Sequence, residues 1–236
     1  MKSELEISED TALRSPHDST PSDKSLAFWE ITSVIVSCLI GEWVIFSIGR
    51  ESSVAFAILL AIVFAFMFCS HYLRGESARD IGLRVDNFVA ASRLLIVPMV
   101  VASAVLVTVG YFNGTLNFFR WRGGQSILGV PALGILWGLM QQYALQAFIN
   151  RRAQLIWGRG WMSVVFVALM FALLHLPNPG LMVATFAGGL LWAAVYQRTP
   201  NLLALALSHG IMTWVLVSTL PAAALGGLRV GFKYFG

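Results

Sequence analysis

Residues 160–197 read GWMSVVFVALMFALLHLPNPGLMVATFAGGLLWAAVYQ, and no Asp, Glu, Lys or Arg interrupts them. A helix rises ~1.5 Å per residue, so ~20 apolar residues cross the hydrocarbon core of a bilayer. Pro177-Asn178-Pro179 cannot continue a helix and divides this stretch into two spans, Trp161–Leu176 and Leu181–Tyr196. Working outward, Val54–Leu73, Leu94–Phe119, Gly123–Asn150 and Thr199–Leu228 are equally free of charge. The 236 residues are 57% hydrophobic and 12% charged, whereas soluble domains carry roughly a quarter charged residues. A soluble enzyme and a secreted disulfide scaffold are excluded. A β-barrel would alternate apolar and polar residues, but Ala57–Phe68 and Val164–Leu174 are apolar all round. Backbone groups in lipid must then be satisfied within helices, which gives an all-α polytopic transmembrane bundle.

Charge is distributed unevenly along the chain. All twelve acidic residues lie at or before Asp86, where seven basic residues oppose them; nine basic residues and no acid follow. The pattern points to membrane topology and anionic lipid as partner, not nucleic acid. It also means that no side-chain carboxylate chemistry originates after Asp86. Cys38 and Cys69 sit in apolar runs without framework spacing and read as small hydrophobes between helices.

Residues 1–27 are polar, rich in Ser, Asp, Glu and Pro, and read as a disordered tail without the apolar core of a signal peptide. Residues 28–125 hold spans at Phe28–Ile48, Val54–Tyr72 and Val89–Tyr111, with a charged connector at Arg74–Phe88. Residues 126–220 hold Ser126–Asn150, the two spans quoted above and Leu202–Leu220; residues 221–236 form a short tail. The count is about seven spans. The tail, the Arg74 connector, the Arg151 loop and the Arg198 turn hold ten basic residues against five in the alternate loops. That bias places the N-terminus in the cytoplasm of a multi-pass integral protein, in the plasma membrane if the cell is prokaryotic.

Polar side chains inside a span are costly, so each is a candidate for function or for helix association. The fourth span offers Gln141, Gln142 and Gln146; His175 closes the fifth and His209 lies within the seventh. Helix rise puts Gln141 ~18 Å, His175 ~21 Å and His209 ~12 Å from the same face of the membrane, so the three fit one intramembrane cavity. Glu42 lies ~21 Å into the first span, at matching depth. A lone Gln serves as interhelical glue and a lone His as an interfacial residue; their repetition on neighbouring spans points to a site.

Gln141-Gln142-Tyr143-Ala144-Leu145-Gln146, Phe171-Ala172-Leu173-Leu174-His175 and His209-Gly210-Ile211-Met212-Thr213 resemble the three motifs of the CPBP family. That family comprises the CAAX prenyl endopeptidases and the bacteriocin-processing or immunity proteins called Abi. Its pattern is Glu-Glu-x-x-x-Arg, Phe-x-x-x-His and His-x-x-x-Asn/Asp on successive membrane helices. Gly188-Gly189 and the turn Arg198–Leu203 before His209 are similar too, and the resemblance spans Leu133–Leu220. It implies a glutamate-dependent intramembrane protease needing no cofactor or metal. In that mechanism a Glu and the second-motif His activate water, while the third-motif residues stabilise the oxyanion. Carried onto this chain, those positions are Gln141, His175, His209 and Thr213, with Gln142 at the second Glu and Gln146 at the Arg.

Phe171, His175 and His209 match the pattern; the three glutamines and Thr213 depart from it. Glutamine keeps the shape of glutamate but has no basic lone pair, and loss of a positioned base costs typically about 10²–10⁴ in rate. Replacing two Glu and one Arg together leaves a neutral hydrogen-bonding trio and removes the cost of burying ions. Three readings stay open. His175 is itself the base, with Gln141 orienting water and His209 serving the oxyanion; or Glu42 supplies the carboxylate; or the fold binds its clients without cutting them. The expected activity is hydrolysis of a peptide bond in a membrane-anchored or prenylated protein or a C-terminal sorting tail. The alternative is a catalytically inactive membrane binding or immunity protein. Other intramembrane proteases fit worse: the chain has no Gly-x-Ser-Gly, no His-Glu-x-x-His and no Asp pair within its spans.

Overall fold

A computed structural model of the chain describes residues 20–48, 52–120 and 129–236. Those residues form helices and turns with no strand among them. Helix α1 (Pro21–Leu39) runs on into a π-helical turn, Ile40–Val44, and a 3₁₀ turn, Ile45–Ser47. Helices α2 (Ser52–Leu73) and α3 (Phe88–Phe112) follow. Helix α4 (Gly129–Gln142) widens into a π-helical segment, Tyr143–Asn150, and continues as α5 (Arg151–Trp157). Helices α6 (Trp161–Leu173), α7 (Pro179–Arg198) and α8 (Leu202–Thr219) complete the bundle. Counting α4, its π segment and α5 as one rod gives seven rods, matching the expected spans. Five of them are long and apolar enough to cross a membrane by themselves, and α6 is a shorter apolar helix.

Helix α1 begins at Pro21 rather than at Phe28 because a capping box overrides the polar composition. Thr20 Oγ1 accepts from Asp23 N (3.2 Å) while Asp23 Oδ2 accepts from Thr20 N (3.1 Å). Pro21 takes the first helical position, where its missing N–H costs nothing. The rest of the expected tail, residues 1–19, lies outside the described residues.

Large apolar side chains are exposed along α2 (Ile58, Ile62, Phe68) and α3 (Val97, Val101, Val105). Patches of that size have no place in water and mark these helices as the lipid-facing wall of an integral membrane protein. The packed core lies elsewhere, where Phe148, Phe171, Trp192, Tyr196, Leu202 and Leu205 meet between the π segment, α6, α7 and α8.

Polar groups gather at the two ends of the bundle. At one end the 74–87 connector folds across the α7–α8 turn. Tyr196 Oη donates to the Ile81 carbonyl (2.9 Å), Leu202 N to Gly82 O (2.8 Å) and Asn201 Nδ2 to Arg84 O (2.7 Å). Gly82 has φ 86°, and a Cβ there would lie 3.2 Å from both Asn201 N and the Pro200 carbonyl carbon, so only glycine fits. At the same end Arg152, with no exposed surface, sits between Glu30 (Nε–Oε2 3.0 Å) and Glu76 (Nη1–Oε2 2.9 Å). Arg151 reaches Glu76 (2.6 Å), Arg74 reaches Glu30 (2.8 Å), and Ser70 bridges Glu30 and Arg152. The Arg151-Arg152 pair, expected to mark an inner loop, therefore turns into the protein and neutralises the two acids there. The connector, the Arg151 pair and the Arg198 turn share this end of the bundle.

At the opposite end the last carbonyls of α8, which have no intrahelical donors, are taken by the 113–120 loop. Arg120 donates to Val217 O (3.1 Å) and to Leu220 O, and Asn117 N donates to Ser218 O (2.7 Å). The C-terminal segment folds back over this end. Asn178 caps α7 by accepting from Leu181 N (3.1 Å), and its Nδ2 donates to Leu225 O (2.7 Å) and Arg229 O (3.0 Å).

Candidate active site

Helices α3, α4, α6, α7 and α8 line a half-open cavity of about 910 Å³. Most of its wall is apolar, including Met99, Val105, Val183 and Leu216; its polar surface comes chiefly from Gln141, His175, Thr185, His209 and Thr213. Four residues singled out from sequence thus share one chamber, with Phe171 between the two histidines. The Phe171 ring lies 5.0 Å from that of His175 and 6.0 Å from that of His209. Acidic and basic side chains are absent from the described lining.

His175 lies just beyond the end of α6, in the turn that the Pro177-Asn178-Pro179 break produces. Its Nδ1 is 2.8 Å from the Phe171 carbonyl oxygen. A carbonyl only accepts, so Nδ1 carries the proton and Nε2 keeps a free lone pair. His209 has the opposite arrangement. Its Nδ1 is 3.0 Å from Gln142 Nε2; with the amide placed this way round its nitrogen donates, so Nδ1 is assigned as the acceptor and the ring proton to Nε2. One imidazole is set as an acceptor and the other as a donor. The Trp192 ring stacks on His209 at 4.6 Å and 1°.

The remaining predicted positions fall around this chamber. Gln142 is fully buried and is not part of the lining; it supports His209 from behind, and its Oε1 has no protein partner. Gln146 turns away from the cavity and accepts from Asn150 Nδ2 (2.8 Å). Asn150 Oδ1 in turn accepts from Gln197 Nε2 (3.1 Å), whose Oε1 accepts from Gly160 N (2.9 Å). This amide ladder occupies the place where the family pattern has an Arg. Glu42 does not line the cavity: it packs against Gly231 of the C-terminal segment, where a Cβ would meet the Glu42 backbone oxygen at 2.4 Å. Both π-helical segments coincide with these intramembrane polar residues, one at Glu42 and one starting just after Gln142, in keeping with the frequent use of π-bulges at functional sites.

A family model described as type II CAAX prenyl endopeptidase Rce1-like matches residues 89–215, more than half of the chain. The chain belongs to that family. No curated protein and no solved structure matches it. The matched region of this CAAX endopeptidase relative begins in α3 and ends in α8, so it takes in every helix that walls the cavity. Gln141 and Thr213 add no charge to the chamber lining, and Gln142 and Gln146, which lie outside it, are neutral as well.

Sequence reasoning missed the charged cluster below this site. His71 Nδ1 donates to Glu76 Oε2 (2.6 Å), and Glu76 also receives Arg151 and Arg152. Burial alone would raise the Glu76 carboxyl. The His71 hydrogen bond and the two guanidinium charges outweigh it and hold the group below the ordinary carboxylate range. The one signal available was the Arg151-Arg152 pair at a span boundary, which is also what a simple topology determinant looks like.

Proposed function

We propose that the chain is an intramembrane endopeptidase that hydrolyses a peptide bond in a membrane-anchored or prenylated protein or a C-terminal sorting tail. The observation that carries this reading is the opposite hydrogen-bonding character of the two imidazoles in one apolar chamber. Water placed against His175 Nε2 gives up a proton as its oxygen attacks the scissile carbonyl carbon. The resulting oxyanion accepts from His209 Nε2–H, with the Thr213 hydroxyl as a second donor. On collapse the C–N bond breaks and the imidazolium of His175 returns the proton to the leaving amine, so the histidine ends as it began. The Gln141 carbonyl orients the water but cannot take its proton. A neutral chamber avoids the desolvation cost of buried ions, and His175 supplies the positioned base that Gln141 cannot, a contribution typically of about 10²–10⁴ in rate. The apolar wall suits a lipid chain beside the scissile segment.

The all-neutral lining also suits a second reading, a client-binding or immunity protein that does not cut. The two separate in membranes carrying a lipidated reporter with a cleavable C-terminal peptide. Endopeptidase function predicts processing by the wild-type chain and its loss in His175→Ala and His209→Ala, both still inserted and folded. Retention of processing in both variants refutes it, and association without any product supports binding alone.

A further inference from the structure

We infer that Trp192 is a positioning residue that clamps His209 in its donor orientation, so that α7 sets the geometry of a group carried by α8. The inference rests on the reading that His209 serves the oxyanion. The indole lies flat on the imidazole, with ring centroids 4.6 Å apart and an interplanar angle of 1°. The indole is itself anchored: Nε1 donates to Ser208 Oγ (2.9 Å), and Ser208 Oγ donates to the Leu205 carbonyl (2.8 Å). The clamp therefore grips α8 at the residue preceding His209 as well as at the ring.

Three restraints on His209 act along different directions. Trp192 fixes the plane of the ring. Gln142 Nε2, 3.0 Å from Nδ1, fixes its rotation within that plane and the nitrogen that carries the proton. On the α4 side Gly138 closes against the histidine, since a Cβ there would lie 3.3 Å from His209 Cβ and 3.4 Å from its Cγ. The space for the clamp is provided by Gly188, one turn earlier on α7. A Cβ at that position would meet the Trp192 ring at 2.7 and 3.0 Å. The three atoms nearest to an added Cβ at 188 all belong to the Trp192 ring, so alanine there pushes the indole off its present seat. The small pair Gly188-Gly189 thus has a specific task at its first member.

A flat aromatic partner matters here because the oxyanion donor must be aimed before the reaction, not during it. Misplacement of a reacting group by ~1 Å can cost about 10²-fold in rate, and an oxyanion donor works through preorganisation. Trp192 also lines the cavity, so a substrate contact and a positioning role need to be told apart.

The test uses the full chain in lipid nanodiscs, with Trp192→Leu, Trp192→Phe and Gly188→Ala variants. Two readouts are taken: ring 15N NMR of His209, and cleavage of a prenylated reporter peptide. By holding the ring plane the clamp keeps Nδ1 within reach of Gln142 Nε2. The clamp therefore predicts a single Nε2–H tautomer in the wild type and a mixture of tautomers in Trp192→Leu and Gly188→Ala, where the tilted ring leaves that partner. It predicts that kcat falls by about 10–100-fold in those two variants with KM nearly unchanged, while Trp192→Phe, which keeps the flat ring, restores most of kcat. In a His209→Ala background Trp192→Leu should have no further effect on kcat, because it acts through that side chain. A tautomer that stays single in Trp192→Leu and Gly188→Ala overturns the clamp whatever the cleavage assay gives, as does a rise in KM with kcat unchanged. A tautomer that mixes while the wild-type chain cleaves no reporter supports the clamp and overturns the hydrolytic reading instead.

Discussion

Gln142 on α4 and His209 on α8 meet through a 3.0 Å contact between Nε2 and Nδ1, at a point where Gln142 has no exposed surface. The contact ties two helices and sets which ring nitrogen of His209 holds the proton. A carboxylate in place of the amide would accept from Nδ1–H and leave Nε2 of a neutral ring bare, so with glutamine at 142 a neutral His209 can donate into the cavity.

Gln142→Leu removes the partner and lets the His209 ring proton move between nitrogens. Loss of one oriented oxyanion donor costs typically about 10²–10³ in kcat. Steady-state kinetics on a lipidated peptide should show that fall with little change in KM. A rate within threefold of wild type would place the donor elsewhere.

Gln141→Glu should have the opposite effect. Gln141 lines the cavity with His175, and a carboxylate at that position restores a second proton acceptor beside the water. A gain of up to about 10²–10⁴ in cleavage is expected, the range a positioned general base supplies. The same assay reads it, and no gain would mean that water does not sit against residue 141.

Acid should destabilise the fold through Glu76. Its carboxyl lies below the ordinary value of 4.5 in the folded protein, because the His71 bond and the Arg152 and Arg151 charges outweigh the opposing effect of burial. A depressed carboxyl contributes stability that is present above its unfolded value and is lost as pH falls toward its folded one. Thermal melts in detergent should therefore decline once pH drops below about 4.5. Glu76→Gln should flatten that decline. At neutral pH it should cost about 3–5 kcal/mol, since it leaves the guanidinium of Arg152 under-compensated in the interior.

Asn178→Ala should loosen the C-terminal segment selectively. The side chain is buried and makes three hydrogen bonds, one capping α7 and two holding the Leu225 and Arg229 carbonyls. Loss of the cap alone costs typically about 1 kcal/mol, and the two freed carbonyls add to it. Limited proteolysis should cut the variant after residue 220 well before the wild type. Equal resistance would show that the segment is held by its apolar contacts.

Much of the fold was legible because hydrocarbon imposes one simple rule on a helix: a run of apolar residues long enough to cross. That rule located seven rods, and the Pro177-Asn178-Pro179 break placed His175 at a helix end. It could not show that α1 starts at Pro21, because the Thr20–Asp23 capping box is short, polar and outside the apolar run. Nor could it show the π widening at Tyr143–Asn150, which changes hydrogen-bond register without changing hydropathy. The widening accompanies the turn of Gln146 toward Asn150 and away from Gln141. The Glu30, Glu76 and Arg152 cluster was hidden for a different reason: its members lie far apart in sequence, and each alone resembles an ordinary interfacial charge. Glu42 was expected at matching depth from helix rise alone, but depth does not fix the direction in which a side chain points, and it packs against Gly231.

The most direct measurement is the ring 15N NMR spectrum of His175 and His209 in the wild-type chain, held in lipid nanodiscs at neutral pH. The account predicts two neutral imidazoles of opposite tautomer, His175 protonated at Nδ1 and His209 at Nε2. The same nitrogen protonated in both rings would leave the chamber without a matched acceptor and donor, and would contradict it.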